Sequence, residues 1–320
     1  MPSRQQLDQL VQRNRYNTQA WLDLLKQTIA TGVDQDVRDV FQRFTDVFPT
    51  AGVHWAKWAT YEFDKGHYDD VVSLFTKSLD TVYSVDLYRF YLDYVTKMHT
   101  TEMGLIASPE SYNTIAQAYE FALGRVGLDR RAGAIWTKYL AFLASQEPQS
   151  QWEEQKKLDQ LRAAYQRAIM VPTDQLLQIW KDYDTFENTT NRHTAKAILL
   201  KFSAGYMTAR SADRNLVSLF EKIKAHQPTG GLACPPTWSA RDASYLKAWK
   251  DYIAWEKSNP LTLEPPELIQ RVNYAYRQAL LVLRFYPELW IEAALYMMEV
   301  EDKDGAVKLL KQATEVLPER

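Results

Sequence analysis

The 320-residue chain has little of several things, and each shortage removes a class of protein. A single cysteine, Cys234, rules out an intramolecular disulfide and a cysteine-rich zinc site, and it fits a reducing compartment, the cytosol or the nucleus. Excess charge of one sign is missing. The 38 Lys+Arg stand against 40 Asp+Glu, so no global field drives the chain onto nucleic acid or anionic lipid. Apolar runs are short and broken by charge, which argues against a transmembrane span. The opening MPSRQQLDQLVQRNR lacks the apolar core of a secretory signal. Glycine is scarce at 11 residues, and no stretch alternates like a strand between hairpin signals.

Aromatic residues, by contrast, make up 13% of the chain, and they recur in register. Seven segments open on an aromatic anchor: Trp21, Trp55, Tyr88, Trp136, Trp180, Trp249 and Trp290. Three residues on stand Leu24, Trp58, Tyr91, Tyr139, Tyr183, Tyr252 and Ala293. Six residues on stand Gln27, Tyr61, Tyr94, Phe142, Phe186, Trp255 and Tyr296, so six of seven are aromatic where composition predicts about one. Seven residues on, Glu62, Glu187 and Glu256 recur. Each segment is followed by a second helical pattern, as in FTKSL at Phe75, YEFAL at Tyr119, YQRAI at Tyr165 and YRQAL at Tyr276. Pro49, Pro172, Pro287 and Pro318 punctuate the units.

The anchors are spaced by 34, 33, 48, 44, 69 and 41 residues, a helix–turn–helix repeat with insertions in units three to five. The expected fold is all-α: an α-solenoid of about seven pairs near 16–48, 52–82, 85–126, 131–170, 175–225, 243–284 and 287–317, behind a short helix near 3–14. HQPTGGLACPPTWSARD, residues 226–242, breaks the helical pattern. It suggests a linker or bend between a first sub-array, 1–225, and the start of a second, 243–320.

The aromatic anchor, the aromatic three on and the Glu seven on resemble the HAT (half-a-TPR) repeat. The segments VFPTAGVHWAKWATYEF, LLQIWKDYDTFEN, WKDYIAWEKSNPL and AYRQALLVLRFYPELWIEAALYM are similar to the family of the 77 kDa-type subunit of cleavage stimulation factor, over about Asn14 to Thr314. That resemblance implies a non-catalytic, nuclear scaffold of pre-mRNA cleavage and polyadenylation. The implied partners are the RNA-binding and WD-repeat subunits of cleavage stimulation factor and the cleavage and polyadenylation specificity factor. RNA contact would be mainly indirect. Family members run longer, and their homodimer interface belongs to later repeats, so dimerisation stays open for this chain. A HAT scaffold of splicing or rRNA processing and a TPR-like peptide adaptor remain alternatives.

Candidate chemistry is sparse. His54, His67, His99, His193 and His226 show no metal-ligand spacing, Cys234 has no activating neighbour in sequence, and Thr229–Gly231 lacks the lysine of a phosphate loop. No cofactor or metal is expected. The aromatic stripe could stack RNA bases or fill a core; its spacing is that of a core. Glu62, Glu187 and Glu256 read as structural acceptors or as peptide-binding carboxylates. EEQKKLDQLR, residues 153–162, mixes signs like a solvated face. Arg192, Lys196, Lys201, Arg210 and Arg214 could form a basic ridge for RNA or an acidic partner, or a solvated face.

Overall fold

The computed structural model describes residues 2–317, so Pro318 lies outside the described residues. A lead helix and seven helix pairs follow one another. Helix α1 (Arg4–Arg13) opens on a capping box, in which the Ser3 hydroxyl accepts from the Gln6 amide and the Gln6 side chain accepts from the Ser3 amide. The pairs are α2 (Thr18–Thr31) with α3 (Asp34–Val47), α4 (Gly52–Asp64) with α5 (Tyr68–Ser78), and α6 (Val85–Met98) with α7 (Pro109–Val126). Then come α8 (Gly133–Ala144) with α9 (Gln151–Ala168), α10 (Leu176–Thr190) with α11 (Arg192–His226), α12 (Ala240–Lys257) with α13 (Pro265–Val282), and α14 (Pro287–Glu299) with α15 (Lys303–Val316). Among the described residues there is no strand, only an isolated bridge between Thr100 and Ile106 in the loop of the third pair. The insertions became that loop and the 35-residue α11. Among the described residues no helix is long and apolar enough to cross a membrane.

The anchors explain how each repeat is joined to the one before it. Trp21, Trp55, Tyr88, Trp136 and Trp290 are each the fourth residue of their helix. Each ring is buried and sends its one polar group back to a carbonyl of the incoming turn. The indole N–H groups of Trp21, Trp55, Trp136 and Trp290 donate to the carbonyls of Arg15, Pro49, Gly127 and Arg284 at 2.7–3.0 Å. The Tyr88 hydroxyl donates to the Leu79 carbonyl at 2.6 Å. A buried N–H or O–H needs a partner, and the carbonyls at helix ends and in turns lack one within the helix. The two anchors in other registers make no such bond. Trp249 sits nine residues into α12, so the residues just before it are helical. Trp180 is the fifth residue of α10, half-buried, and stacks on Tyr206 at 4.3 Å.

The expected core face needs one correction. At roughly 100° per residue, the position seven past the anchor lies about 20° from it, whereas six past lies about 120° away. Accordingly Thr28, Glu62, Val95, Leu143, Glu187, Glu256 and Met297 are all buried, while Tyr61, Tyr94, Phe142, Phe186 and Trp255 are half-buried at the rim. Tyr296 alone of the six aromatics there is buried. Three past the anchor, rings stack on the preceding repeat: Trp58 on Phe41, Tyr139 on Tyr119, and Tyr183 on Tyr165, with centroids 5.3–5.7 Å apart.

The helices group into two compact units, and these do not follow the division expected at 226–242. One unit comprises residues 1–90, 221–257 and 265–320; the other comprises 91–220 and 258–264. Within the first, the earliest repeats pack on the latest ones. The Thr50 hydroxyl donates to the Leu281 carbonyl at 2.6 Å, Gln278 donates to the Tyr83 carbonyl at 2.7 Å, and Tyr16 meets Phe285 edge to face. Residues 226–242 are part of this packing. Gly230, at φ 74°, lies against Leu22, where a Cβ would stand 2.9 Å from the Leu22 side chain, and Leu232 and Ala233 are buried. In the second unit, Asn259, with φ 53°, brackets the SNPL turn by two hydrogen bonds between its carboxamide and the backbone of Leu263.

Truncating a ring of the repeat core should therefore cost far more than truncating an exposed one. Tyr183→Ala should lower unfolding stability by about 3–5 kcal/mol, whereas Trp152→Ala, at a ring 70% exposed, should be near neutral in denaturant titrations.

Candidate interaction surface

Each recurring glutamate stands in the core stripe of its helix, and a carboxylate there is costly unless paired. All three meet an arginine that grips both carboxylate oxygens through Nε and Nη2. Arg38 of α3 holds Glu62 at 2.9 and 2.7 Å, Arg162 of α9 holds Glu187 at 2.8 and 3.2 Å, and Arg271 of α13 holds Glu256 at 2.9 and 2.6 Å. In the first two pairs the arginine comes from the preceding repeat; in the third it comes from the second helix of the same repeat. The last pair is the most enclosed, at 5% and 1% exposure. These carboxylates are occupied, so they offer no free acceptor to a peptide terminus.

The sequence pattern leaves Arg38 and Arg271 unmarked and places Arg162 only at the end of the solvated 153–162 face, yet each sits three residues before a second-helix aromatic: Arg38 before Phe41, Arg162 before Tyr165, Arg271 before Tyr274. That spacing puts both on one helical face. It is the signal that could have found them.

Glu62, His67 and Asp70 bring one possible ligand atom each within 4.8 Å of one another. The Arg38 Nη2 group already lies among them, at 2.7 Å from Glu62, 2.8 Å from His67 Nδ1 and 2.8 Å from Asp70. The guanidinium thus fills the place a cation would take, and the cluster reads as arginine-centred. Burial pushes the Glu62 carboxyl up, but hydrogen bonds from Arg38, His67 and Trp58 outweigh it and hold the group below the ordinary 4.5. His54 is a core residue, its ring 4.5 Å from Phe44; burial, with Lys57 nearby, lowers it from 6.5 to about 4, so it is neutral at physiological pH. His99 pairs with Ser111, and His193 is exposed. Burial pushes the Cys234 thiol up to about 11, the opposite of an activated nucleophile. Thr229–Gly231 is a single 3-10 turn. Residues 153–162 lie on α9; Leu161 is buried, Glu153, Lys157, Leu158 and Arg162 are half-buried, and the rest are exposed.

The basic residues of α11 divide by helical phase. Arg192, Lys196, Arg210 and Arg214 fall within about 40° of one another at roughly 100° per residue, and Lys201 points about 180° away. Arg192, Lys196, Lys201 and Arg214 are exposed, and Arg210 is half-buried. The Lys201 ammonium lies over the ring of its neighbour Phe202.

Stacked helix pairs, cores filled by aromatic anchors and carboxylates consumed by internal arginines define the class: a helical-repeat protein. The model of the Suppressor of forked (Suf) protein family matches residues 3–320, and the chain belongs to that family. The chain is 31% identical over 314 residues to the mRNA 3′-end-processing protein rna14 of Schizosaccharomyces pombe, covering 98% of this chain and 42% of that one. It is 35% identical over 335 residues to rna-14 of Neurospora crassa, covering 98% and 28%. It thus spans under half the length of these relatives. The crystal structure of CstF-77 superimposes with a TM-score of 0.62 at 21% identity, over 83% of this chain and 52% of that one, a likeness of fold.

Removing one partner of the enclosed pair strands the other. Arg271→Met should destabilise the chain by about 3–5 kcal/mol, and adding Glu256→Leu should restore most of the loss, as read by denaturant unfolding. Acid should act through His54. Its folded value lies below its unfolded one, so its share of stability is complete above about 6.5 and lost as pH falls toward about 4. His54→Leu should remove up to about 3 kcal/mol of that acid sensitivity, seen as a smaller loss of melting temperature between pH 7 and pH 4.5.

Proposed function

We propose that this chain is a non-catalytic scaffold segment of the nuclear machinery that cleaves and polyadenylates pre-mRNA 3′ ends. The observation that carries the reading is the match to mRNA 3′-end-processing proteins along 98% of this chain, across every helix pair rather than at one motif. The mode of action is positional. Within each compact unit, repeats locked by ring stacks and arginine–carboxylate forks would hold partner-binding faces at fixed spacing, which raises the effective concentration of tethered subunits. The partners would be the RNA-binding and WD-repeat subunits of cleavage stimulation factor and the cleavage and polyadenylation specificity factor, with RNA reached mainly through them. The homodimer that the resemblance implies would rest on repeats outside this chain. The internal pairing of Glu62, Glu187 and Glu256 supports a structural role for them and weighs against a carboxylate-based peptide adaptor.

The test is a chimera. The S. pombe protein with its matching segment replaced by this chain should restore 3′-end cleavage of a pre-mRNA substrate in extract depleted of rna14. A stably expressed chimera that recovers splicing or ribosome-assembly factors, and restores no cleavage, would assign the chain to another machine.

A further inference from the structure

Helix α11 carries a second seam, on the side that the repeat core does not use. From Arg192, steps of four, four, three, four, three and four residues reach Lys196, Leu200, Ser203, Met207, Arg210 and Arg214. These steps keep all seven within about 80° of helix surface over about 33 Å. The middle is apolar and open: Leu200 is 72% exposed and Met207 57%. The ends are basic. None of the four cations has an ion pair or a hydrogen bond among the described residues, whereas Arg130, Arg162 and Arg167 in the same compact unit all hold carboxylates. α11 has only two acids. Asp213 is spent on Arg130 at 2.7 Å, and Glu221 lies beyond the seam.

Alternating steps of three and four are the spacing with which one helix meets another along its length. The surface therefore asks for a partner of matching chemistry: apolar in its middle to cover Leu200 and Met207, acidic at both ends to meet the arginines and lysine. RNA fits less well. Single-stranded RNA binds on aromatic platforms between cations, and the two rings within the span of the seam pack on other rings, Tyr206 on Trp180 and Phe202 on Tyr183. We propose that this seam docks an amphipathic helical segment of a partner protein that is acidic at both ends.

The test uses the full chain and a labelled 22-residue helical peptide with glutamate-rich ends and leucines at matching spacing in its middle. A lysine-ended version and an oligouridine serve as competing probes. The acidic peptide should bind saturably in fluorescence anisotropy, with an affinity that falls as salt rises. Joint substitution Arg192→Glu, Lys196→Glu, Arg210→Glu and Arg214→Glu should weaken it more than about tenfold, as should Leu200→Ser with Met207→Ser. Lys201→Glu, on the opposite face, should change it less than about twofold. Circular dichroism melts check that each variant folds. Absence of binding overturns the proposal, as does binding indifferent to Leu200 and Met207. Oligouridine binding lost on charge reversal, with no peptide binding, would make the seam an RNA contact instead.

Discussion

The structure depends on large rings buried with their polar atom paired, a condition that among the buried anchors Trp249 alone does not meet. Five anchors meet that condition by reaching back to a carbonyl that the turn before the helix leaves unpaired. One bond satisfies two orphans and fixes where the chain enters the next repeat. It works from the fourth helical position, because one turn back from there is where the incoming turn runs. The anchors outside that register lose the bond, and they flank the irregular stretch of the array, with its 69-residue spacing.

The glutamates carry the same logic into the core. An ionised side chain at a buried stripe position would be excluded from an ordinary helix packing. A guanidinium fork meets both oxygens of a carboxylate in one relative placement of the two helices. Ring stacks such as Trp58 on Phe41 and Tyr183 on Tyr165 tolerate sliding, since aromatic pairs accept a range of offsets. The forks beside them, Arg38 to Glu62 and Arg162 to Glu187, do not slide. Stacking supplies apolar area, and the ion pairs set register between neighbouring repeats.

This division bears on function. Under the proposed scaffold role exposed reactive groups are not needed, and several titratable residues that sequence singled out are turned inward or paired, whereas Arg192, His193, Lys196, Lys201 and Arg214 stay exposed. His54 is core, Glu62 is held by Arg38, and the Cys234 thiol is suppressed by burial. On α11, exposed apolar and unpaired basic groups share one face.

Much of this was legible in the amino-acid sequence. Helix pairs, their order and the insertions follow from local periodicity, because a ring recurring with helical spacing must bury one face. The phase difference between positions six and seven past the anchor, and between Lys201 and the other four cations, also lies in the 100° step, although only burial made it plain. Other features were decided by tertiary structure. Nothing in the spacing of Glu256 says that Arg271, fifteen residues later, is its partner, while Glu187 looks back to Arg162. Nothing in a linear repeat says that Thr50 bonds Leu281, or that the Pro- and Gly-containing stretch after α11 packs on Leu22. Those contacts join surfaces far apart in the chain. Helical periodicity records which face of an element is buried; which other element buries it is settled only when the whole set of faces competes for the same partners.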